Sequence, residues 1–593
     1  MERELPSSPV MLHCSLRVAV VSLGFLWAAC IDIPGIHAVE EPPGEEVPDA
    51  GGATIESRLF LSRSVTNGFV DLHVELRGAI PERVELLVDG KSVETMLPPY
   101  RLRLETHAWV EGDHELLLRT SLGEQVFLSE PRPLRVDRTS PILVSRSPVS
   151  GERHVPAGQV IRASFSEALD PATIHGGSAR LTAESRDLAG DVELSIDGRA
   201  LTIHPRVRLP RDVAVHVVLD SSVTDLAGNP IQREEDGWSW TMPGFLPLGN
   251  SFSTDSPAES TPAFPEMLIP SSGLPIVAWA DTGSRGVFVR HWTGEAWEFL
   301  GTPMKNVDAS RYLNAQLNTE GHPVIAWIDD LASEIHVRYW TGSEWRTMGD
   351  AIRGLPPYLW ALSMRTDGAG QWFMSFASRQ EILVWKWDGA SWGRIGLFPV
   401  AETSSVMAAY MELDAAGQPL VIWGERDVMG VDRYREARWE GGEWVSNPSA
   451  LNALGMWSWG VGVAGRPLAA TLVETGALIR EWNGVSWSSL GTSFQERFPG
   501  GAPAAVHRFV EDPSGALVVL LGESESAGQP DTLHFRRFVE GDWAPLDYVL
   551  RPSRSSGMPR FGVTPAGRFI VARVEAAHAP PTHYFMQVYI SND

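Results

Sequence analysis

Cysteine is nearly missing from this chain. There are two, Cys14 and Cys30, and both precede residue 31. No disulfide, zinc site or thiol nucleophile can form beyond that point. Positive charge is also short: 49 Lys and Arg face 74 Asp and Glu, a formal net charge of −25. That balance argues against nucleic acid, whose binding depends on Lys and Arg neutralising phosphates. It argues equally against electrostatic docking to anionic lipid heads. The one continuous apolar stretch of note, 18–29, is twelve residues long and too short to span a bilayer as a helix. The catalytic signatures His-Glu-x-x-His and Gly-x-Ser-x-Gly, the phosphate loop and the dinucleotide fingerprint are all missing. The 16 histidines are scattered, none at metal-ligand spacing. A glycosidase needs two carboxylates at a set separation, and two drawn from distant segments leave no local mark, so that class stays open.

The short apolar stretch fits the core of a signal peptide, headed by Arg17 and starting from Met1 or from Met11. It ends in Ala28-Ala29-Cys30, which resembles a bacterial lipobox, with Trp27 where that family has an aliphatic residue. The resemblance implies export and lipidation of Cys30, with the protein held at the outer membrane or cell surface of a Gram-negative-type bacterium. The alternative is ordinary cleavage near Ala29 or Ala38 and secretion. Residues 31–55 are rich in Pro, Gly and Glu, the composition of an extended tether.

From 56 to 138 the chain reads as short strands with turn signals between. Residues 69–76 alternate apolar and polar, and Asp89-Gly90 suits a tight hairpin because both residues tolerate positive φ. The Val88-Asp89-Gly90 hairpin resembles those of bacterial Ig-like modules. Between 139 and 243 stand Ser147-Pro-Val-Ser-Gly151, Phe165-Ser-Glu-Ala-Leu-Asp-Pro171, Leu201-Thr-Ile-His-Pro205 and Asp225-Leu-Ala-Gly-Asn-Pro230, in that order. They resemble the bacterial Ig-like domain of S-layer proteins, which implies a spacer or adhesion element. Asp225 and Asn229 are calcium-ligand types, but beside Gly228 they are also turn-shaping types. No cofactor is expected, and calcium has no motif in its support.

Tryptophan is abundant, at 23 residues, and most lie beyond residue 270. Trp-x-Gly-x-x-Trp recurs at Trp292, Trp340, Trp387, Trp439 and Trp482, with a worn copy from Phe538 to Trp543. A second mark, glycine followed by an apolar run, recurs at Gly273, Gly321, Gly370, Gly417, Gly465, Gly515 and Gly567, 47 to 52 residues apart. Each unit reads as four strands, the signature of a β-propeller blade. The last unit has three strands, while Phe245-Leu-Pro-Leu-Gly249 matches the fourth-strand ending Glu298-Phe-Leu-Gly301. Residues 244–593 are therefore expected to form seven blades, closed by that early strand. The region resembles Trp-rich propellers of secreted bacterial proteins. Repetition of tryptophan at one position points to packing rather than to sugar stacking.

Eight residues after the repeat glycines stand Asp281, Asp329, Glu425, Glu523 and Glu575. Symmetry would put them on one face, as a ring able to attract a cation or a basic partner, or simply as solvated loop charges. The whole is expected to be all-β: two Ig-like β-sandwiches followed by a seven-bladed β-propeller. The expected role is a cell-surface or periplasmic binding or adhesion lipoprotein that recognises a glycan or an extracellular protein. A propeller-based glycoside hydrolase or lyase is the alternative, and a purely structural surface module the third. The anchor has its own test: Cys30→Ser should release the protein from membranes and abolish labelling by a fatty-acid analogue, and unchanged labelling would rule the lipid anchor out.

Overall fold

The computed structural model describes residues 54–593 apart from 233–236, 255–259, 263–264, 306–308, 368, 431, 449–454, 462–465, 474–475, 484–485, 493–504, 524–531, 552–554 and 577–583. Cys30 and tether residues 31–53 lie outside the described residues. Among those described the fold is all-β; the one helical turn is the 3-10 segment Pro171–Thr173, and no helix is long and apolar enough to cross a membrane.

The first sandwich packs the sheet of Ile55–Leu61, Phe69–Gly78 and Arg101–Glu105 against a larger sheet that includes Arg83–Val88 and Gly112–Leu122. Period-two alternation is plain in Phe69–Gly78, where Val70, Leu72 and Val74 turn inward. The expected hairpin is present, with Asp89 and Gly90 at φ 49° and 77° between Arg83–Val88 and Lys91–Thr95. The second sandwich faces two four-stranded sheets around Phe165, Trp238 and Trp240. Its last strand, Trp238–Thr241, leads straight into the repeat region.

That region holds seven antiparallel sheets among the described residues, one per repeat: six are four-stranded, and the first adds Met304–Lys305 as a fifth strand. Their first strands neighbour one another in chain order, and the last of them, Ser555–Val563, lies beside the first, Glu266–Leu268, which closes a ring around a central axis. The second strands, such as Ile276–Asp281 and Trp372–Ala377, are buried along their whole length, because each sheet is covered on both faces by its neighbours. Apolar cores accordingly sit between consecutive sheets, with Phe252, Trp279 and Ile570 among those joining the last sheet to the first.

The closing strand is where the sequence places it. Phe245–Pro247 pairs with the chain's final strand, Tyr584–Ser591, in the register Phe245 to Ser591 and Pro247 to Tyr589. Phe245 thereby takes the place that Trp297 occupies in the first sheet, packed against Phe535 and Tyr548 of the preceding one.

The tryptophan pairs are inter-sheet fasteners. The indole N–H of Trp297 donates to the Leu248 carbonyl at 2.7 Å, that of Trp345 to Leu300 at 2.7 Å, and that of Trp392 to Met348 at 3.0 Å. Trp444 and Trp543 do the same to Ile395 and Leu490, both at 2.8 Å, whereas Trp487 uses the Glu436 carboxylate at 3.0 Å. In each case the acceptor belongs to the preceding sheet. In the first three pairs the first ring lies over the glycine just past the preceding sheet's outer strand. A Cβ on Gly301 would stand 2.5 Å from Trp340 Cζ3, and one on Gly249 2.4 Å from Trp292 Cζ3.

Gly301→Ala therefore meets both a clash and a φ of +72°, whereas Gly294→Ala meets only a φ of +103°, with nothing within 4 Å. The expected losses are about 2–4 kcal/mol and ~1 kcal/mol respectively. They are read from the tryptophan-fluorescence unfolding transition, and equal losses would contradict the fastener geometry.

Candidate functional site

In every sheet the first strand starts, and the second strand ends, on the same face of the ring. The five acidic positions stand at these second-strand ends. Their carboxylates, where described, are occupied from within. Asp281 is buried, accepting from Ser260 Oγ at 2.7 Å and from the Ser284 and Thr261 backbone N–H at 2.7 and 3.2 Å. Asp329 caps its own turn, accepting from Leu331 and Ala332 N–H at 3.1 and 3.0 Å. Glu425 accepts from Trp423 Nε1 at 2.8 Å and pairs with Arg435 at 2.9 Å. Glu575 is held by Arg573 Nε and by the Tyr589 hydroxyl, each at 2.6 Å. Burial, with the Glu575 hydrogen bond adding to it, pushes the Tyr589 phenol up to about 12. The Glu523 backbone ends the strand Leu517–Glu523, and its side chain lies outside those described. Each of the four described carboxylates thus has its own local partners at a turn or strand end of the face.

On that face opens a cleft of about 900 Å³ over the second, third and fourth sheets. Tyr312, Trp360 and Ser405 line it from three successive first strands, and Asp330, Ser333, Tyr358 and Arg379 from the loops. The Asp329 cap shapes the loop that carries Asp330 and Ser333. The Arg379 loop is fixed by its own carbonyl, which accepts from Val406 N–H at 3.0 Å on the next first strand. Arg379 stands over the Tyr358 ring, 5.6 Å from its centroid. Tyr358 itself is 77 % exposed.

The backbone around this cleft is strained. Ser333, Tyr358 and Ala361 sit at φ 49°, 60° and 52°, a left-handed region costly for residues with a Cβ. Ala361 also falls within an irregular register, where Trp360 pairs with Ala377 and the next pair is Ser363 with Ser375. The irregularity turns Trp360 toward the cleft, a common use of a β-bulge. Sequence reasoning missed all of this, because loops that differ between repeats carry no period.

A second polar set was legible but unread. Seven residues before the repeat glycines, on the first strands, stand Glu266, Asn314, Ser363, Tyr410, Ser458, Arg508 and Arg560. They line the axis. Arg560 grips Glu266 Oε1 through Nε at 3.2 Å and Nη2 at 2.9 Å, joining the last sheet to the first. Two residues further along their strands, Arg365 and Glu412 form a two-pronged pair at 2.7 and 2.5 Å.

Away from the ring, Asp137, Glu167 and Asp225 bring carboxylate oxygens within 4.8 Å of one another at the joint of the two sandwiches. Asp225 is committed to its turn, accepting from Ala227, Gly228 and Asn229 N–H at 2.8, 2.7 and 2.8 Å. Asn229 Nδ2 donates to the Asp137 carbonyl at 3.0 Å and to Asp225 Oδ2 at 2.8 Å. Burial, and then the other two carboxylates, hold Glu167 above the usual carboxylate range.

Residues 137–242 match the bacterial Ig-like domain family. No curated protein matches the chain in sequence. Among solved structures, a virginiamycin B lyase of Staphylococcus aureus is 9 % identical over 58 % of this chain and 98 % of its own, with a TM-score of 0.37. An α-L-arabinanase of Penicillium chrysogenum is 12 % identical over 58 % and 98 %, with a TM-score of 0.34. A polysaccharide lyase described as an ulvan lyase is 12 % identical over 58 % and 95 %, with a TM-score of 0.38.

Relief of the strain is measurable. Ala361→Gly should stabilise the protein by about 0.5–1 kcal/mol, the left-handed penalty removed less the added chain entropy. A lowered unfolding midpoint would show that the Ala361 methyl packs well enough to outweigh its strain.

Proposed function

We propose that this is an exported, surface-held protein whose ring binds a glycan in the cleft of Tyr312, Tyr358 and Trp360, without cleaving it. The cleft's composition carries the reading. Exposed aromatic rings offer flat apolar faces to the C–H faces of a sugar, while Asp330, Ser333, Arg379 and Ser405 supply polar groups for its hydroxyls. Strain retained at Tyr358 and Ala361 fits a site held in shape for a ligand rather than for stability. The two sandwiches and the tether before them serve as a spacer, and lipidated Cys30 as the anchor.

Cleavage is the second reading. Asp330 is the one carboxylate among the described lining residues, and hydrolysis of a glycosidic bond ordinarily requires two. The pairing of Tyr358 with Arg379 is the observation that favours a lyase, since it sets a phenol beside a cation.

A glycan array probed with the whole exported chain tests both readings. Wild type should retain a defined set of glycans, and Tyr358→Ala should bind them at least tenfold more weakly, on the ~1–3 kcal/mol carried by such an aromatic contact. Because Tyr358 is exposed, its unfolding midpoint should not move. An array without specific signal would overturn the glycan reading, and shortened or unsaturated products from a retained glycan would replace binding with catalysis.

A further inference from the structure

The axial channel is unlike the rest of the molecule in charge. In a chain of net charge −25, the described charged residues on the axis are Arg365, Arg508 and Arg560 against Glu266 and Glu412, an excess of one positive charge. The excess is localised. Arg365 is matched by Glu412 through two hydrogen bonds, and Arg560 takes Glu266 Oε1 through two. Arg508 is left with Glu266 Oε2 at 3.5 Å, beyond ordinary hydrogen-bond length.

Arg508 is enclosed by the ring yet partly accessible. Its side chain keeps 34 % of its surface accessible, whereas its shared partner Glu266 keeps 8 %. Burial, together with repulsion from Arg560 and Arg365, lowers the Arg508 pKa against the pull of Glu266 and Glu412. The guanidinium remains charged, because its ordinary value is so high. It is a cation with a fork of donors, few acceptors and an open side.

We propose that the axial channel holds a small carboxylate ligand on the Arg508 guanidinium, with Arg560 beside it. One anionic charge balances the axis. A planar carboxylate matches the guanidinium fork through two parallel hydrogen bonds, which a spherical anion cannot do. At the same level Asn314 Oδ1 accepts from Met364 N–H at 3.2 Å, and the Ser363 and Ser458 hydroxyls donate to the Met411 and His507 carbonyls at 3.3 and 3.1 Å, so these groups are committed to the next sheet while the Arg508 fork is not. The site is built from first strands of the ring, not from the cleft residues, so it stands or falls apart from the glycan reading.

The test uses the whole exported chain with sodium acetate and sodium glucuronate, against sodium chloride at matched ionic strength and glucose at matched concentration. Acetate and glucuronate should raise the unfolding midpoint with concentration as a specific ligand does and show saturable heats of binding. Glucose and chloride should do neither. Equal shifts with chloride would reduce the effect to general screening and overturn the proposal, and so would no shift with any of the four. Arg508→Gln should weaken acetate binding by at least about tenfold, the worth of charge-assisted hydrogen bonds. It should also raise or leave unchanged the ligand-free midpoint, since it removes an unbalanced cation. Should that variant fail to fold, Arg508→Lys carries the same test: it keeps the charge, loses the fork and should bind several-fold more weakly. Tyr358→Ala should leave acetate binding intact; loss of acetate binding there, or its persistence in a folded Arg508 variant, would move the anion to the cleft and overturn the axial assignment.

Discussion

The ring rests on one repeated contact, an indole N–H of one sheet donating to the sheet before it. Individually such a bond contributes only about 1 kcal/mol. Its value lies in geometry: the indole also covers the gap between two twisted sheets, and in three of the pairs its neighbour rests on a glycine that leaves no room for a methyl. The first five sheets are thus both donor and acceptor, while the last, with Phe245 at the tryptophan position, only accepts. The contact from Trp297 reaches back to Leu248, in the segment that follows the closing strand. Without residues 245–249 the first sheet would lose its acceptor and the last its outer strand. One five-residue segment therefore serves two interfaces.

Regularity and chemistry separate in this molecule. The scaffold was readable because each repeat must meet the same packing demand, so glycine and tryptophan return at fixed intervals. The outer-strand match of Phe245-Leu-Pro-Leu-Gly249 with its later copies was readable for the same reason. The described acidic positions serve local structure at the second-strand ends, as the hydrogen bonds of Asp281 and Glu575 show. The axial set escaped notice because residue type changes from sheet to sheet while position does not. A search by position, seven before each glycine, recovers it. The cleft has no such signal, since the left-handed φ of Tyr358 and the turn of Trp360 are properties of unequal loops.

Symmetry also explains why chemistry gathers at the departures from it. A ring of equal sheets offers the same surface seven times, and a ligand fits one place only where the copies differ. The longer approach to the third sheet puts Tyr358 and Trp360 on the face. The change from serine and asparagine to arginine and glutamate on the axis charges one side of the channel. The packing positions are free to stay alike because the variable ones bear the specificity.

The joint between the second sandwich and the ring has a mechanical meaning. The end of the chain is fastened to that sandwich: Asn592 Nδ2 donates to the Val155 and Pro243 carbonyls at 2.8 and 3.0 Å, and Arg211 donates to the Asn592 carbonyl at 2.6 Å. Tension arriving from the amino-terminal side passes through residues 242–245 into the ring's own closing seam. The Asn592 fastening bridges the sandwich and the last strand directly, so it bears load in parallel with the backbone. With the proposed anchor and ligand in place, a pull on the ring would be resisted at the seam first, and the lifetime of the attachment would follow the rate at which that seam opens, not its equilibrium stability.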